Sequence, residues 1–262
     1  MGREARMNAG RFGLIRPDGA PARRSPKVVV GYPVGGSVTL PFHASMLRLL
    51  SYEEQKGNDR LLSKIQHTSG LYVADNRTLL VQRFLQTDCD WLWQVDTDIE
   101  FPANILETLV EMAGHEKKIL AASVPLGAYP SCAFRLTDVP GIWDPIFPLP
   151  LKPVQVDGIA TAAVLIHREV FERVAELNGQ SWFHHIYLPE SPAGTPPRDF
   201  KYRSQGEDLA FSVRAREAGF AIWCAHVPGL RHYKTRALSH DDDRAAALAS
   251  EDSEMGEIVQ EG

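Results

Sequence analysis

The sequence predicts an α/β fold in which a mostly parallel central sheet carries helices on both faces. Short apolar segments rich in β-branched and aromatic residues alternate with segments whose apolar residues recur at helical spacing. Such alternation is typical of a parallel sheet covered by helices. The composition agrees: 44% of the 262 residues are hydrophobic and 23% are charged, which suits one sizeable globular core.

Differences in charge and periodicity divide the chain into three segments. Residues 1–26 are rich in Gly, Pro and Arg without periodicity, which predicts a flexible basic leader. Residues 27–238 carry the alternating pattern and predict a single domain. Residues 239–262 contain eight acidic side chains against one arginine and predict a disordered tail, within a chain of net charge −5.

Several absences indicate a soluble cytoplasmic protein. No run of about 18 apolar residues is present, so no membrane span is expected. The N-terminal arginines precede no apolar segment of the secretory type. Three dispersed cysteines indicate reduced thiols rather than a disulfide framework. The basic leader could contact the phosphates of a nucleic acid, and a merely solvated leader is the alternative.

The first half of the chain yields three strands and three helices. A strand is predicted at residues 27–32, ended by Pro33, and helices at 41–50 and 75–85, the latter capped by Asp75. The apolar segment 91–95 predicts a strand that runs directly into Asp96-Thr97-Asp98. Pro102 opens a helix over 103–113, and residues 119–124 predict the next strand.

The second half is less regular. Residues 125–153 and 178–204 lack periodicity and predict loops, with short strands in the first of them. A strand is predicted around Gly158 over 154–166, followed by a helix over 168–177. A helix over 206–219, with Gly219 as its C-cap, leads into a strand at 221–225 and then to His232.

The carboxyl ends of the predicted strands are the place to look for a site. In open α/β sheets, ligands bind beyond these ends. Pro33 and Val34 follow the first strand, Asp96 and Asp98 follow the strand at 91–95, and His232 follows the last one. We therefore expect these residues to converge on one edge of the sheet.

The Asp96-Thr97-Asp98 motif is the strongest chemical signal. Two carboxylates at the end of a very apolar strand are costly to bury without a counter-charge. A divalent cation with oxygen ligands would neutralise them and could also bind a diphosphate. The alternative is a pair of turn residues, with Asp98 capping the helix near Pro102.

Two further groups are open to functional and structural interpretations. Glu207 and Asp208 begin a helix, where acidic residues favour the macrodipole, but a carboxylate there could also act as general base. His232 is either an exposed histidine or a metal ligand suited to Mn²⁺. Beside it, Arg231 and Lys234 could offset phosphate charge.

The order of these motifs resembles that of GT-A fold glycosyltransferases, above all family-2-like and phage-encoded members. The sequence shows a strand ending in D-x-D, a Gly-containing strand and helix, then G-E-D, then a histidine. The matching segments are 73–77, 93–98, 157–172, 206–211 and 232–234. The likeness therefore covers roughly residues 27–235.

The resemblance implies a role for each metal-side and donor-side residue. Asp98 would bind the metal directly, Asp96 would bind the metal or the donor ribose, and His232 would complete the protein's ligands. By the same likeness, Lys234 lies on the donor side.

The resemblance also implies the remaining contacts. Pro33 and Val34 would border the nucleobase, and Asn76 and Arg77 would lie against the donor. Similar proteins often read Ala-Arg-Asn where this chain has Ala-Asp-Asn at 74–76, so the basic donor contact falls to Arg77.

On the acceptor side, Asp208 would be the base of an inverting displacement, with Glu207 positioning the acceptor or the sugar. The implied cofactor is Mn²⁺ or Mg²⁺, and the implied donor is a nucleotide-diphosphate sugar, with UDP-sugars favoured. The acceptor could be a lipid, glycan, protein or modified DNA base. The aromatic segment 182–187 could form an acceptor platform or a buried loop.

Two alternatives compete with sugar transfer. A sugar-phosphate nucleotidyltransferase also has a metal-binding carboxylate after a strand, but it usually has a Gly-rich basic loop after the first strand, and residues 32–36 contain no Lys or Arg. The other alternative is a non-catalytic nucleotide-binding or interaction module. In such a module the acidic residues would serve as helix caps, and no metal-dependent affinity for a nucleotide would be expected.

Overall fold

The computed structural model describes residues 26–57, 65–70, 72–125, 132–191 and 201–234. One compact unit spans Met1–His232, and a second spans Tyr233–Gly262, of which Tyr233 and Lys234 are described. Apart from Pro26, the predicted basic leader lies outside the described residues, and so does the predicted acidic tail at 239–262.

The described part of the first unit is an α/β domain. Its helices are α1 (Leu40–Gln55), α2 (Val73–Leu85), α3 (Ile105–Ala113), α4 (Arg168–Asn178) and α5 (Glu207–Glu217). Its strands are β1 (Val28–Val34), β2 (Ile65–Ser69), β3 (Trp91–Val95), β4 (Ile99–Glu100), β5 (Ile119–Ala122), β6 (Ala133–Leu136), β7 (Trp143–Pro145), β8 (Val154–Val156), β9 (Gly158–Ile159), β10 (Ala163–His167), β11 (Ile186–Pro189), β12 (Tyr202–Gln205), β13 (Ile222–Ala225) and β14 (Arg231–His232).

The central sheet has seven strands in the order β2-β1-β3-β10-β5-β13-β8. Five strands run in one direction, and β10 and β8 run against it. Every residue of β3 and β5 is buried. Because successive side chains point to opposite faces, both faces of the sheet must be covered, which explains the nearly continuous apolar runs. The predicted α/β class with a mostly parallel sheet is confirmed.

All five helices begin within two residues of their predicted starts, but α1 ends five residues beyond its predicted end at residue 50, and two predicted caps are wrong. Helix α2 starts at Val73 with Tyr72 in the N-cap position, so the prediction that Asp75 caps it is wrong. Asp75 instead lies in the first turn, where a negative charge is favoured by the macrodipole. Helix α5 ends at Glu217 with Ala218 as its C-cap, so the prediction that Gly219 caps it is wrong; Gly219 follows the cap with a φ of 90°.

Two predicted segments differ from the structure. The single strand expected over 154–166 is three strands: β8 at one edge of the central sheet, β9 in a small sheet with β6 and β7, and β10 in the middle of the central sheet. The segment 178–204, predicted as loop, contains β11, which pairs antiparallel with β12. Strand β2 was not predicted at all.

A short antiparallel ladder connects the last described part of the first unit to the D-x-D turn. Strand β14 pairs with β4, with His232 opposite Ile99 and Arg231 opposite Glu100. The chain reaches β14 through a Val227–Leu230 turn in which Gly229 has a φ of 87°. Pro228 followed by such a glycine is the pattern of a type II turn.

Two expectations drawn from composition can be compared with the described residues. Within them, no helix combines the length and the apolar character that crossing a bilayer requires. Cys89, Cys132 and Cys224 are all buried free thiols, as predicted.

Candidate functional site

The D-x-D turn lies at the carboxyl end of β3, beside the carboxyl end of β1. The Asp96 amide donates to the carbonyl of Ala162 at 2.8 Å. The Thr97 hydroxyl donates to the carbonyl of Ser37 at 3.0 Å, and the Thr39 hydroxyl donates to the carbonyl of Thr97 at 2.9 Å. These bonds fix the turn between its neighbouring loops and orient its two carboxylates. The prediction that Pro33 ends the first strand is wrong, because Pro33 and Val34 are the last two residues of β1 and pair with Thr68 and Ser69 of β2. Since β1 and β3 are parallel, both residues still lie at the expected end of the sheet.

Asp98 and His232 come together although 134 positions separate them in the sequence. His232 Nε2 lies 3.0 Å from Asp98 Oδ2. The pairing of β14 with β4 brings them together, because His232 stands opposite Ile99, the residue after Asp98. The imidazole is nearly buried, at 6% exposure, whereas the carboxylate is 31% exposed. The predicted convergence of these two residues is therefore seen in the structure.

The hydrogen bonding of the His232 ring fits a cation at this pair. Its Nδ1 lies 2.7 Å from the carbonyl of Pro125, and because a carbonyl only accepts, Nδ1 carries the hydrogen. In a neutral ring Nε2 then presents a lone pair to the Asp98 carboxylate. Two acceptors at this separation repel unless a proton or cation lies between them. Metal bonds of about 2.1 Å meeting at a right angle place two ligand atoms about 3.0 Å apart.

Asp96 faces another partner. Arg77 Nη2 lies 3.1 Å from Asp96 Oδ1 and 3.3 Å from Oδ2, and its guanidinium is only 3% exposed. Within the described residues, no group of three or more His, Cys, Asp or Glu side chains is arranged to hold a metal ion. The assignment of Asp96, Asp98 and His232 as metal ligands therefore stays a prediction.

Burial and neighbouring charges shift the pKa values of Asp96 and Arg77. Burial, together with the nearby Asp208 and Asp98, raises the pKa of Asp96 to about 6, and the Arg77 guanidinium offsets this only in part. Burial by itself would lower the pKa of Arg77, but Asp96, Asp208 and Glu207 outweigh burial and raise it. One buried cation therefore faces several carboxylates, an arrangement that attracts a further positive charge.

Asp208, the predicted base, belongs to the same cluster. The Thr161 hydroxyl donates a hydrogen bond to Asp208 Oδ1, and Arg77 Nη2 lies 3.9 Å from that oxygen. The Thr161 carbonyl in turn accepts from Arg77 Nη1 at 3.2 Å. Helix α5 is held at this place because Ile159, just before Thr161, donates its amide to Ser212 Oγ at 3.2 Å. Asp96 and Asp208 thus share Arg77.

Glu207 points to a different surface from Asp208. Its Oε2 lies 3.8 Å from His185 Nε2, and it lines a cavity of about 520 Å³ together with Tyr72, His184 and Tyr187. Of the predicted platform, Trp182 and Phe183 are fully buried in the core. The segment 182–187 therefore combines both interpretations: its first two aromatic residues pack inside, and the following ones face the cavity.

Three predicted donor-side residues remain. Asn76 is buried in α2, where its carbonyl accepts from the Thr68 hydroxyl at 3.0 Å. Arg77 is buried as well. The contacts of Asn76 and Arg77 with the donor stay predictions. Lys234 belongs to the second unit.

Two features of this cluster were not predicted from the sequence: the burial of Arg77 beside the carboxylates, and the part played by Thr161. The burial of Arg77 could have been detected, because it shares one helical face with Ala74, Val81 and Phe84, all of them buried. An arginine on an apolar helical face predicts a carboxylate partner in the interior. Thr161 carries no such signal, because a threonine between alanines near a strand end is unremarkable.

Comparisons with known proteins identify no family for this chain. The sequence matches no protein-family model and no curated protein. A solved structure of the viral protein A197 from STIV aligns over 80% of this chain and 86% of that chain, with 15% sequence identity and a TM-score of 0.48. A likeness at this level carries no argument about this chain.

Proposed function

We propose that this chain is a metal-dependent glycosyltransferase that moves a sugar from a nucleotide-diphosphate donor, with a UDP-sugar favoured, to an acceptor hydroxyl with inversion. The observation that carries the proposal is the 3.0 Å contact between Asp98 and His232. Asp98 lies two residues after Asp96, and Arg77 links Asp96 to Asp208. The order of these motifs, which resembles that of GT-A fold glycosyltransferases, supports the same conclusion.

Asp98 and His232 are the residues we assign to a divalent cation. A carboxylate oxygen and an imidazole nitrogen suit Mn²⁺ better than Mg²⁺, which prefers oxygen ligands alone. The bound ion would neutralise negative charge on the leaving nucleoside diphosphate. Asp96 faces Arg77, and we assign to it the donor ribose rather than a place among the metal ligands.

Asp208 is the group we assign to proton transfer. Its Oδ1 accepts a hydrogen bond from the Thr161 hydroxyl and lies near Arg77, which fixes the orientation of the carboxylate. We assign Oδ2 to the acceptor. As the acceptor oxygen bonds to the anomeric carbon, its proton passes to Asp208 Oδ2. The bond between the anomeric carbon and the diphosphate oxygen breaks, and its electron pair leaves with the diphosphate. One acceptor-side base suffices for such a single displacement, which inverts the configuration.

A hydrolysis screen of nucleotide sugars in Mn²⁺ tests the proposal. The wild type is expected to release nucleoside diphosphate from at least one donor, and chelation of the metal should stop the release. Loss of a metal ligand removes several kcal/mol of charge stabilisation, so Asp98→Ala and His232→Ala should each reduce the rate by at least about 100-fold.

The matched control is Asp144→Asn, which removes an exposed carboxylate on β7, in the small sheet with β6 and β9. Its rate should stay within about twofold of wild type. A metal-independent release, or equal rates in Asp98→Ala and Asp144→Asn, would contradict the proposal. The absence of any Mn²⁺-dependent affinity for UDP would instead favour the non-catalytic module.

A further inference from the structure

A second binding surface adjoins the proposed site. The cavity of about 520 Å³ lies between the start of α2 and the start of α5, and its volume is typical of small-molecule sites. Tyr72 lines it from α2, His184, His185 and Tyr187 line it from the segment before and within β11, and Glu207 lines it from α5. Glu207 directly precedes Asp208 on the first turn of α5, so the cavity lies one residue along the helix from the proposed base, which is itself not among the described lining residues.

The wall formed by residues 184–187 is anchored in the core. Trp182 donates its indole hydrogen to the carbonyl of Phe171 at 2.8 Å, and the ring of Phe183 stacks on Phe211 with centroids 4.9 Å apart. Arg214 donates to the carbonyls of Trp182 and His184 at 3.3 and 2.6 Å. The residues that follow are therefore held in place before any ligand arrives, which lowers the entropic cost of binding.

The charges of the described lining residues disfavour a phosphate-bearing acceptor. No Lys or Arg is among the described residues that line it. Its two histidines lie near carboxylates: His184 Nε2 is 3.5 Å from Asp75 Oδ1, and His185 Nε2 is 3.8 Å from Glu207 Oε2. A phosphate-bearing acceptor such as a nucleic acid would meet these carboxylates without a compensating lysine or arginine, whereas a neutral ligand would not be repelled.

The aromatic lining suits a sugar ring. Tyr72 and Tyr187 are 87% and 63% exposed, and the His185 ring lies 6.2 Å from that of Tyr187. Exposed aromatic rings offer apolar faces to the C–H face of a pyranose, while their hydroxyls and the Glu207 carboxylate can bond to its hydroxyl groups. A nucleobase would gain the same stacking but would bring its phosphates into acidic surroundings.

We propose that this cavity binds a neutral hexopyranose ring of a saccharide acceptor, stacked on Tyr187 or Tyr72 and hydrogen-bonded by His185 and Glu207. The inference rests on the proposed function, since it identifies the acceptor of the same site. A hydroxyl of the bound ring would then lie next to Asp208, on the neighbouring position of α5. Among the acceptor classes implied by the family resemblance, this selects a glycan.

The test uses the full-length chain and ligand-observed saturation-transfer NMR. The probes are the methyl α- and β-pyranosides of glucose, galactose and mannose, together with a single-stranded DNA oligonucleotide. At least one pyranoside should bind. Removing a stacking ring loses roughly 1 kcal/mol, so Tyr72→Ala or Tyr187→Ala should weaken that binding about fivefold. Tyr202→Ala, an equally exposed tyrosine on β12 outside the cavity lining, should change it less than twofold.

Failure of this inference is distinguishable from failure of the proposed function. Pyranoside binding that persists in both cavity variants, the absence of binding by every pyranoside, or displacement of the sugar by the oligonucleotide would overturn the inference. Mn²⁺-dependent UDP binding is measured on the same samples and should be retained in Tyr187→Ala. Loss of nucleotide binding in the wild type, with pyranoside binding intact, would overturn the transferase proposal and leave the saccharide site standing.

Discussion

Arg77 Nη2 lies 3.1 Å from Asp96 Oδ1 and 3.9 Å from Asp208 Oδ1, so a single buried guanidinium contacts the first acid of the D-x-D motif and the acid at the start of α5. In sequence these acids are far apart and belong to different halves of the domain. Arg77 therefore couples the donor side of the proposed site to its acceptor side, and several measurable consequences depend on its charge.

The pH dependence of stability should report the raised pKa of Asp96. Its folded-state pKa of about 6 exceeds the ordinary 3.8, so the stabilisation is complete below about pH 4 and is lost as the pH rises through 6. The Asp96→Asn side chain cannot ionise. As the pH rises from 4 to 7.5, the free energy of unfolding of this variant should therefore increase by about 1–3 kcal/mol relative to that of the wild type. Urea unfolding followed by tryptophan fluorescence measures the difference, and a pH-independent difference would refute the assignment.

Removal of the buried guanidinium should destabilise the fold. Arg77→Met leaves Asp96 and Asp208 without their shared cation and is expected to cost about 3 kcal/mol at pH 7. The double variant with Asp96→Asn should have a higher free energy of unfolding than the two single effects predict when added. The reason is that Asp96→Asn removes one of the two carboxylates that repel each other once Arg77 is gone. Arg83→Met, an exposed arginine on the same helix, should cost less than about 1 kcal/mol. Simple additivity in the double variant would argue against the coupling.

A divalent cation should stabilise the protein through Asp98 and His232. At a Mn²⁺ concentration about 100 times the dissociation constant, binding adds about 2.7 kcal/mol to the stability and raises Tm. Asp98→Ala and His232→Ala should lose this response, whereas Glu100→Gln, which removes a neighbouring carboxylate on β4, should keep it. Because metal binding requires an ionised carboxylate and a neutral imidazole, the response should weaken on acidification. An unchanged Tm shift in His232→Ala would remove the histidine from the metal site.

The Thr161 hydroxyl is expected to position Asp208. Thr161→Val keeps the shape of the side chain but removes the hydrogen bond to Oδ1, and it should reduce kcat by roughly 10-fold to 100-fold with little change in KM for the donor. Thr161→Ser restores a hydroxyl at the same place and should recover most of the rate. Equal losses in both variants would indicate a packing effect instead of a positioning role.

The elements with strong local patterns were predictable from the sequence. The strand at 91–95 is wholly apolar apart from Gln94 and leads directly to the D-x-D motif, so β3 and the position of its carboxylates followed from the sequence. Helix α4 has an apolar stripe of Val170, Phe171 and Val174, and its predicted bounds agree within one residue. In both cases the local pattern and the tertiary environment favour the same structure.

The remaining elements depend on contacts that a linear pattern does not contain. Residues 154–166 have a strand-like pattern throughout, and only the pairing with other strands divides them into β8, β9 and β10. Gly158 shows why the division is specific: a Cβ there would lie 2.8 Å from the Trp143 ring and 3.0 Å from Leu209, so no larger side chain fits between β7 and α5. Likewise, β4 and β14 have two residues each, which is too short for any periodicity to be recognised.

The shortness of the β4–β14 ladder makes the spacing of residues 226–231 a strict constraint. Side chains alternate along a strand, so a one-residue deletion between Ala225 and His232 would turn the imidazole to the opposite side of the ladder. Losing or gaining two residues would preserve the side but shift the ring along β4, away from Asp98. The Pro228-Gly229 turn therefore fixes the length of the connection from β13 to β14. Insertions and deletions should be absent from residues 226–231 in natural variants of this protein.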